Sequence, residues 1–168
     1  VDISNLILKF AIEGKRVVRL KGGDPGLFGR LKEEVALLEE YYMPFRVIPG
    51  VSSISVATTG TGLLLTNRNS SRGYTVATIQ KAKSKDILPL SNEEMFAFPN
   101  VFLMSSNKAK DLKDNLITLG KSADTPVAVV NNAYSNKEEI KFCNIQELET
   151  LKVKEAQDLS IIIIGKQS

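Results

Sequence analysis

Apolar positions recur along the 168-residue chain at two periods, and the two alternate. Val1 to Phe10 reads as an amphipathic helix broken by Asp2, Asn5 and Lys9 and ending near Gly14. Arg16 to Leu20 then reads as a strand. Leu31, Val35, Leu38 and Tyr42 fall at i, i+4, i+7 and i+11, one face of a helix over 31–42, which Pro44 stops. Phe45 to Ile48 predicts a second strand, closed by Pro49-Gly50. Ser52 or Ser53 can cap a short helix that ends near Gly60 or Gly62.

From Gly62 to Gly73 the periodicity gives way to a polar stretch of Thr, Asn, Ser and Arg, the signature of a hinge. Beyond it, Tyr74 to Ile79 alternates β-branched residues as a strand does. Ser91-Asn92-Glu93-Glu94 fits a capping box ahead of a short helix. Val101 to Met104 predicts a strand, and Leu112, Leu116 and Leu119 a helix that stops at Gly120. Val127 to Val130 predicts a buried strand and Lys137 to Phe142 an edge strand. Asn144 caps a last short helix, and Leu159 to Ile164 completes the sheet. Alternating helices and strands predict an α/β protein with an N-terminal subdomain over 1–66, a hinge at 67–73 and a C-terminal subdomain over 74–168. Two strands before Gly62 are too few for a stable sheet, so that half is expected to draw on residues upstream or on a partner's surface.

Hydrophobic content of 43% and charged content of 24% place the chain among globular proteins. Its longest apolar run, Leu159 to Ile164, is far short of the roughly 20 residues that span a bilayer. With no signal sequence at Val1 to Phe10, the expected location is the cytoplasm, with no membrane partner. The absence of histidine and the single Cys143 exclude imidazole acid–base chemistry, a Cys–His nucleophile and the usual His/Cys metal sites, so no metal is expected. Cys143 itself reads as a small apolar strand residue. The net charge of +3 is scattered. Lys81, Lys83 and Lys85 alternate without interleaved aromatics, which reads as a solvated loop, and no nucleic-acid partner is expected.

The candidate chemistry lies in two strand-to-helix connections. Lys21-Gly22-Gly23-Asp24-Pro25-Gly26-Leu27-Phe28-Gly29-Arg30 follows an apolar strand and precedes a helix, where open α/β sheets bind ligands. Gly22 and Gly23 allow close approach to the backbone. Asp24 offers an acceptor suited to a ribose hydroxyl, an amino group or a sulfonium. By itself a Gly-Gly-Asp-Pro turn is more often a plain tight turn. It is neither a dinucleotide fingerprint nor a P-loop. Val47-Ile48-Pro49-Gly50-Val51-Ser52-Ser53 repeats the design, with hydroxyls at a helix start that suits an anionic group or serves as a simple cap.

These segments resemble the tetrapyrrole methylases, most closely the uroporphyrinogen-III C-methyltransferase branch. The resemblance rests on Val17 to Pro25, Phe28-Gly29-Arg30, Glu33-Glu34 and Val47 to Ser53. It continues through Leu65-Thr66-Asn67-Arg68, Val101 to Met104, Thr125 to Ala133 and Ile161 to Gly165. It implies the family's fold, two α/β subdomains with a cofactor trough between them, here with the N-terminal subdomain truncated because the family's opening strand and Gly-rich loop have no counterpart. It implies S-adenosyl-L-methionine as cofactor, S-adenosyl-L-homocysteine as product, a tetrapyrrole substrate and a homodimer.

By the same resemblance Gly22, Gly23 and Asp24 wrap the methionine part of the cofactor. Ser52 and Ser53 stand for the family's Thr-Ser pair, and Met104, Ala133 and Ser160 fall on the adenosine side; Met104 and Ala133 are also ordinary core residues. Arg30, Glu33 and Arg68 match positions facing the tetrapyrrole, whose carboxylates suit an arginine fork. The family arginine at Arg30 is assigned a proton-handling, catalytic role, although a group whose pKa stays above about 12 is better suited to anchoring. Thr66-Asn67-Arg68 replaces the family's Thr-His-Arg, and Thr78-Ile79-Gln80 its Thr-Gly-His. The implied reaction is methylation of uroporphyrinogen III to precorrin-2, for siroheme or cobalamin. Two alternatives stay open: a precorrin-4-type methylase, and a catalytically incompetent module that dimerises or binds the cofactor.

Overall fold

The structure is a computed structural model that describes residues 2–69, 71–78, 92–103, 108–150 and 160–165. It divides into two compact units, 1–53 and 54–168.

The first unit is built on two helices. Helix α1, Ile3–Ile12, is capped by Asp2, whose carboxylate accepts from the amides of Ser4 (3.0 Å) and Asn5 (3.5 Å). Such a cap satisfies amides that have no partner within the helix. Helix α2, Leu31–Glu40, carries Glu33 and Glu34 in its first turn, on the side the helix dipole favours, and buries Leu38. The two helices pack on each other. The expected strands over 16–20 and 45–48 are not formed and belong to no sheet among the described residues. Their apolar side chains are left in solvent, with Val18 at 72%, Leu20 at 81% and Ile48 at 74% exposure. The sequence expectation of two strands here is therefore not met among the described residues.

The second unit contains a five-stranded mixed sheet in the order β1-β2-β5-β3-β4. Its strands are β1 Thr75–Thr78, β2 Asn100–Leu103, β3 Pro126–Asn131, β4 Glu139–Asn144 and β5 Ser160–Ile164. β1 and β2 are parallel, and β5 runs antiparallel between β2 and β3. β5 is apolar at nearly every position because both its faces are covered, the pattern of a central strand. On one face Phe102, Ile162, Ile164, Val127 and Val129 pack with Leu112 and Leu116 of helix α5, Ala109–Thr118. On the other, Val101, Ile161, Ile163, Ala128 and Val130 pack with Ile54 and Ala57 of helix α3, Ser53–Thr58, and with Leu63 and Leu65. Leu63 and Leu65 therefore pack as core with the C-terminal sheet, and the division at 53/54 falls upstream of the polar stretch 67–73.

Helix α4, Asn92–Ala97, matches the expected short helix, although Ser91 of its capping box lies outside the described residues. Asn144 caps as expected: its Oδ1 accepts from the Glu147 amide at 3.0 Å while Glu147 Oε2 accepts from the Asn144 amide at 3.1 Å. The element it opens is a short 3-10 turn at Leu148–Thr150. β4 is the edge strand, and Cys143 on it packs against the core. Burial, with a smaller contribution from nearby Glu147, pushes the Cys143 thiol up from its ordinary value.

Candidate functional site

In the first unit the two strand-to-helix connections lie against each other. A Cβ on Gly50 would come 2.1 Å from the Gly23 carbonyl oxygen, so the backbones meet where only glycine fits. Gly23 also takes φ +69°, a conformation other residues rarely adopt. Asp24 binds the pair together. One carboxylate oxygen accepts from the Gly26 amide at 2.8 Å and the other from the Gly50 amide at 3.3 Å. The acceptor expected to face a ligand is thus used for joining the loops. Gly22 has nothing within 4 Å of its would-be side chain and keeps an open face. Ser52 is buried beside this junction in sequence, and Ser53 is exposed at the first position of α3.

A charged brace fixes the ends of the glycine loop. Lys21 Nζ donates to the Gly29 carbonyl and pairs with Glu34 Oε2 at 2.9 Å, closing the loop onto the start of α2. Arg19 Nη2 meets the other Glu34 oxygen at 3.0 Å, and Arg19 Nη1 donates to the Leu20 carbonyl. Burial alone would raise the Glu34 carboxyl, but hydrogen bonds and charge from Lys21 and Arg19 outweigh it and hold it below the ordinary 4.5. The stability this carboxylate contributes is therefore present above pH 4.5 and lost as pH falls through its lower folded value. Glu34→Gln is expected to flatten that acid limb of the unfolding free energy; a limb as steep as in the parent chain would contradict the brace.

Arg30 caps α2 in the left-handed region, at φ 55°, so its side chain stands out from the loop, with Nε 3.4 Å from exposed Glu33. Phe28 takes φ 56° two residues earlier. These positive angles let the chain turn from the glycine loop into the helix within a few residues. The sequence predicts the loop but not the roles of Lys21 and Glu34.

In the second unit the candidate residues gather at one end of the sheet. Strand register aligns Thr78, Leu103, Asn131 and Glu139 with Ser160 and Ile161 across the five strands. The carboxyl ends of β1, β2 and β3 therefore share an edge with the start of β5, the position where α/β sheets take ligands. Buried Ser160 donates to Asn131 Oδ1 at 2.5 Å, and Asn131 Nδ2 reaches Glu139 Oε2 at 3.4 Å. Ala133 lies in the turn after β3, between Asn132 and Tyr134, both with positive φ, and packs on the core. Asn131 was not foreseen; an asparagine closing an apolar strand was its signal. Met104 follows β2 and lies outside the described residues. Arg68 is exposed in the polar stretch and makes no ion pair or hydrogen bond among the described residues. No cluster of three or more metal-ligating side chains occurs among the described residues, and no helix there is long and apolar enough to cross a membrane.

The fold is mixed α/β, with two glycine turns meeting at Gly23 and Gly50. The chain belongs to the tetrapyrrole (corrin/porphyrin) methylases, whose family model matches residues 2–149. It is 34% identical to siroheme synthase 1 of Pectobacterium atrosepticum over 98% of its own length and 34% of that protein's. It is 37% identical to siroheme synthase 2 of Serratia proteamaculans, again over 98% of this chain and 35% of the other. The chain thus spans about a third of the length of the curated relatives it matches. Among solved structures it resembles uroporphyrin-III C-methyl transferase from Thermus thermophilus complexed with S-adenosyl homocysteine. The TM-score is 0.80 at 30% identity, covering 97% of this chain and 71% of that one. A cobalt precorrin-4 methyltransferase, a cobalamin biosynthetic enzyme, matches with TM-score 0.80 at 25% identity, over 98% of this chain and 70% of the other. The expected family and mixed α/β fold are borne out.

Proposed function

We propose that this chain forms part of an S-adenosyl-L-methionine-dependent C-methyltransferase that converts uroporphyrinogen III to precorrin-2. The observation that carries this reading is the pinned junction of Gly23, Asp24 and Gly50. It sets two ligand-competent loops side by side and leaves the Gly22 backbone open to a bound molecule. Support also comes from the likeness to the Thermus uroporphyrin-III C-methyl transferase, whose structure is a complex with S-adenosyl homocysteine.

The residues present fit the cofactor: Gly22 and Gly23 offer backbone without side-chain obstruction, and Ser53 offers an exposed hydroxyl. Gly22, Gly23, Asp24, Ser52 and Ser53 would hold its methionine part, Asp24 by keeping the loops in register. Met104, Ala133 and Ser160 would hold its adenosine part. When bound, S-adenosyl-L-methionine supplies an electrophilic methyl group on a positive sulfonium. The protein's own work is then alignment and exclusion of water, and such positioning can supply roughly 7–11 kcal/mol of barrier lowering. Arg30, with Glu33 steering its guanidinium, and Arg68 would anchor substrate carboxylates. No histidine is needed for any of this. We place the working protein in the cytoplasm as a homodimer.

With methyl-labelled S-adenosyl-L-methionine, label is expected to reach uroporphyrinogen III when this chain is part of a full-length methyltransferase, and poorly or not at all when it is assayed alone. Transfer to precorrin-4 and none to uroporphyrinogen III would move the assignment to the precorrin-4 type. Binding of S-adenosyl-L-homocysteine without transfer to either would mark a cofactor-binding module, the reading favoured by the unpaired segments 16–20 and 45–48. Arg68→Ala is expected to weaken tetrapyrrole binding at least tenfold, about 1.4 kcal/mol, and to leave S-adenosyl-L-homocysteine binding unchanged. Equal losses in the two titrations would refute its substrate-side role.

A further inference from the structure

Phe28 is held in a backbone conformation that phenylalanine rarely adopts, at φ 56°. A side chain in this region crowds its own backbone, so the region is normally left to glycine or asparagine. The turn itself does not ask for a ring, because glycine makes such a turn without strain. Among the described residues Phe28 makes no hydrogen bond and packs into neither core cluster. It is 44% exposed, beside Leu27 at 49%. Nothing among the described residues of the loop accounts for an aromatic side chain at this place.

The loop around it is fixed. Lys21 Nζ donates to the Gly29 carbonyl, Asp24 accepts from the Gly26 amide at 2.8 Å, and the Leu27 amide donates to the Asp24 carbonyl at 3.3 Å. A Cβ on Gly29 would stand 2.6 Å from the Pro25 carbonyl oxygen, so the chain between Phe28 and Arg30 is closely packed on itself. Arg30 repeats the display at φ 55°, with its side chain 82% exposed. Strain of this kind persists only where the surroundings over-determine the backbone, and it concentrates at ligand sites. A rigid loop thus presents an apolar ring and a guanidinium two residues apart. Together they suit a ligand with a flat apolar face and carboxylates at its margin.

We propose that Phe28 is a substrate-binding residue whose ring covers a pyrrole face of the tetrapyrrole while Arg30 holds a neighbouring carboxylate. This role rests on the uroporphyrinogen reading and adds to it a residue that recognises the macrocycle and not its acid groups. The strain is a cost that the free chain bears to keep the ring displayed, and the ring contributes once a ligand removes it from water.

The test compares two substitutions at one position, in the full chain titrated with uroporphyrin III and followed by its fluorescence. Phe28→Ala removes the ring and keeps the strain, whereas Phe28→Gly removes both. Both are expected to weaken uroporphyrin III binding roughly tenfold or more, while S-adenosyl-L-homocysteine binds all three chains alike. The thermal midpoint of Phe28→Gly is expected to lie about 2–4 °C above that of Phe28→Ala. Added salt should shrink the loss caused by Arg30→Ala but not that caused by Phe28→Ala. Amides of Phe102 and Ile162 report folding of the C-terminal sheet throughout. Full uroporphyrin III affinity in either Phe28 variant would overturn this role and leave the uroporphyrinogen reading standing. So would an equal loss of S-adenosyl-L-homocysteine binding, which would mark Phe28 as a prop for the glycine loop. A folded parent chain that binds no uroporphyrin III would contradict the substrate reading itself, and the role of Phe28 with it.

Discussion

Gly50→Ala is expected to cost both binding and order at the glycine junction. The added methyl would sit 2.1 Å from the Gly23 carbonyl oxygen, a backbone atom that cannot swing aside. The loops must separate, and the 3.3 Å hydrogen bond from the Gly50 amide to Asp24 is lost with them. Forcing atoms into a filled space costs roughly 1–3 kcal/mol, and a charged acceptor losing its partner adds to that. The dissociation constant for S-adenosyl-L-homocysteine, read by calorimetry, should rise by more than tenfold, and the thermal midpoint of the first unit should fall. Gly22→Ala provides the contrast. Its methyl meets nothing within 4 Å and its φ is unstrained, so the midpoint should hold while binding weakens because the open face is obstructed. Equal behaviour of the two variants would mean that the junction is not where the ligand sits.

Phe102→Ala carries the largest expected effect on stability. Phe102 is fully buried, in the middle of β2, and packs with Leu112, Leu116 and Ile162. Removing a buried phenylalanine side chain costs roughly 3–5 kcal/mol in transfer and cavity energy. For a chain of this size the thermal midpoint should drop by about 6–20 °C. β2 ends at Leu103, in register with Ile161, so the same change should loosen the sheet end that presents Ser160. A shift of one or two degrees in a calorimetric scan would show that the face between the sheet and α5 is not a continuous core.

The two units were legible to different degrees, for one physical reason. In the second unit each strand finds its partner inside the chain, so local pattern and tertiary pairing agree: β5 is read correctly from four consecutive isoleucines. In the first unit the apolar pattern of 16–20 and 45–48 suits a buried strand, yet neither segment pairs in a sheet among the described residues. Sequence period can show that a strand is wanted but not whether its neighbour is present. Leu63 and Leu65 show the complementary effect. The polar stretch that surrounds them reads as hinge, yet alternate leucines reach the sheet and extend the core upstream of it.

The site shows the same split. Glycines at 22, 23 and 50 announce a close backbone approach, and the structure provides one. Asp24 was legible as an acceptor, but its bond to the Gly50 amide was not, because a bond across 26 residues leaves no local trace. The Lys21–Glu34 pair was equally hidden. Each residue is ordinary in its own segment, and only the fold brings the two within 2.9 Å. Ser160 and Asn131 are also far apart in sequence and meet through the β3–β5 register.

The central claim is that the Gly22–Asp24 and Gly50–Ser53 loops together form one wall of the cofactor site. Titration of the chain with S-adenosyl-L-homocysteine, followed residue by residue through backbone amide chemical shifts, tests it most directly. Saturable shifts concentrated at Gly22, Gly23, Gly50, Val51 and Ser53, and lost in Gly50→Ala, are the predicted result. Saturable binding that leaves those amides unmoved, or no binding by a chain whose sheet amides show it to be folded, would contradict it.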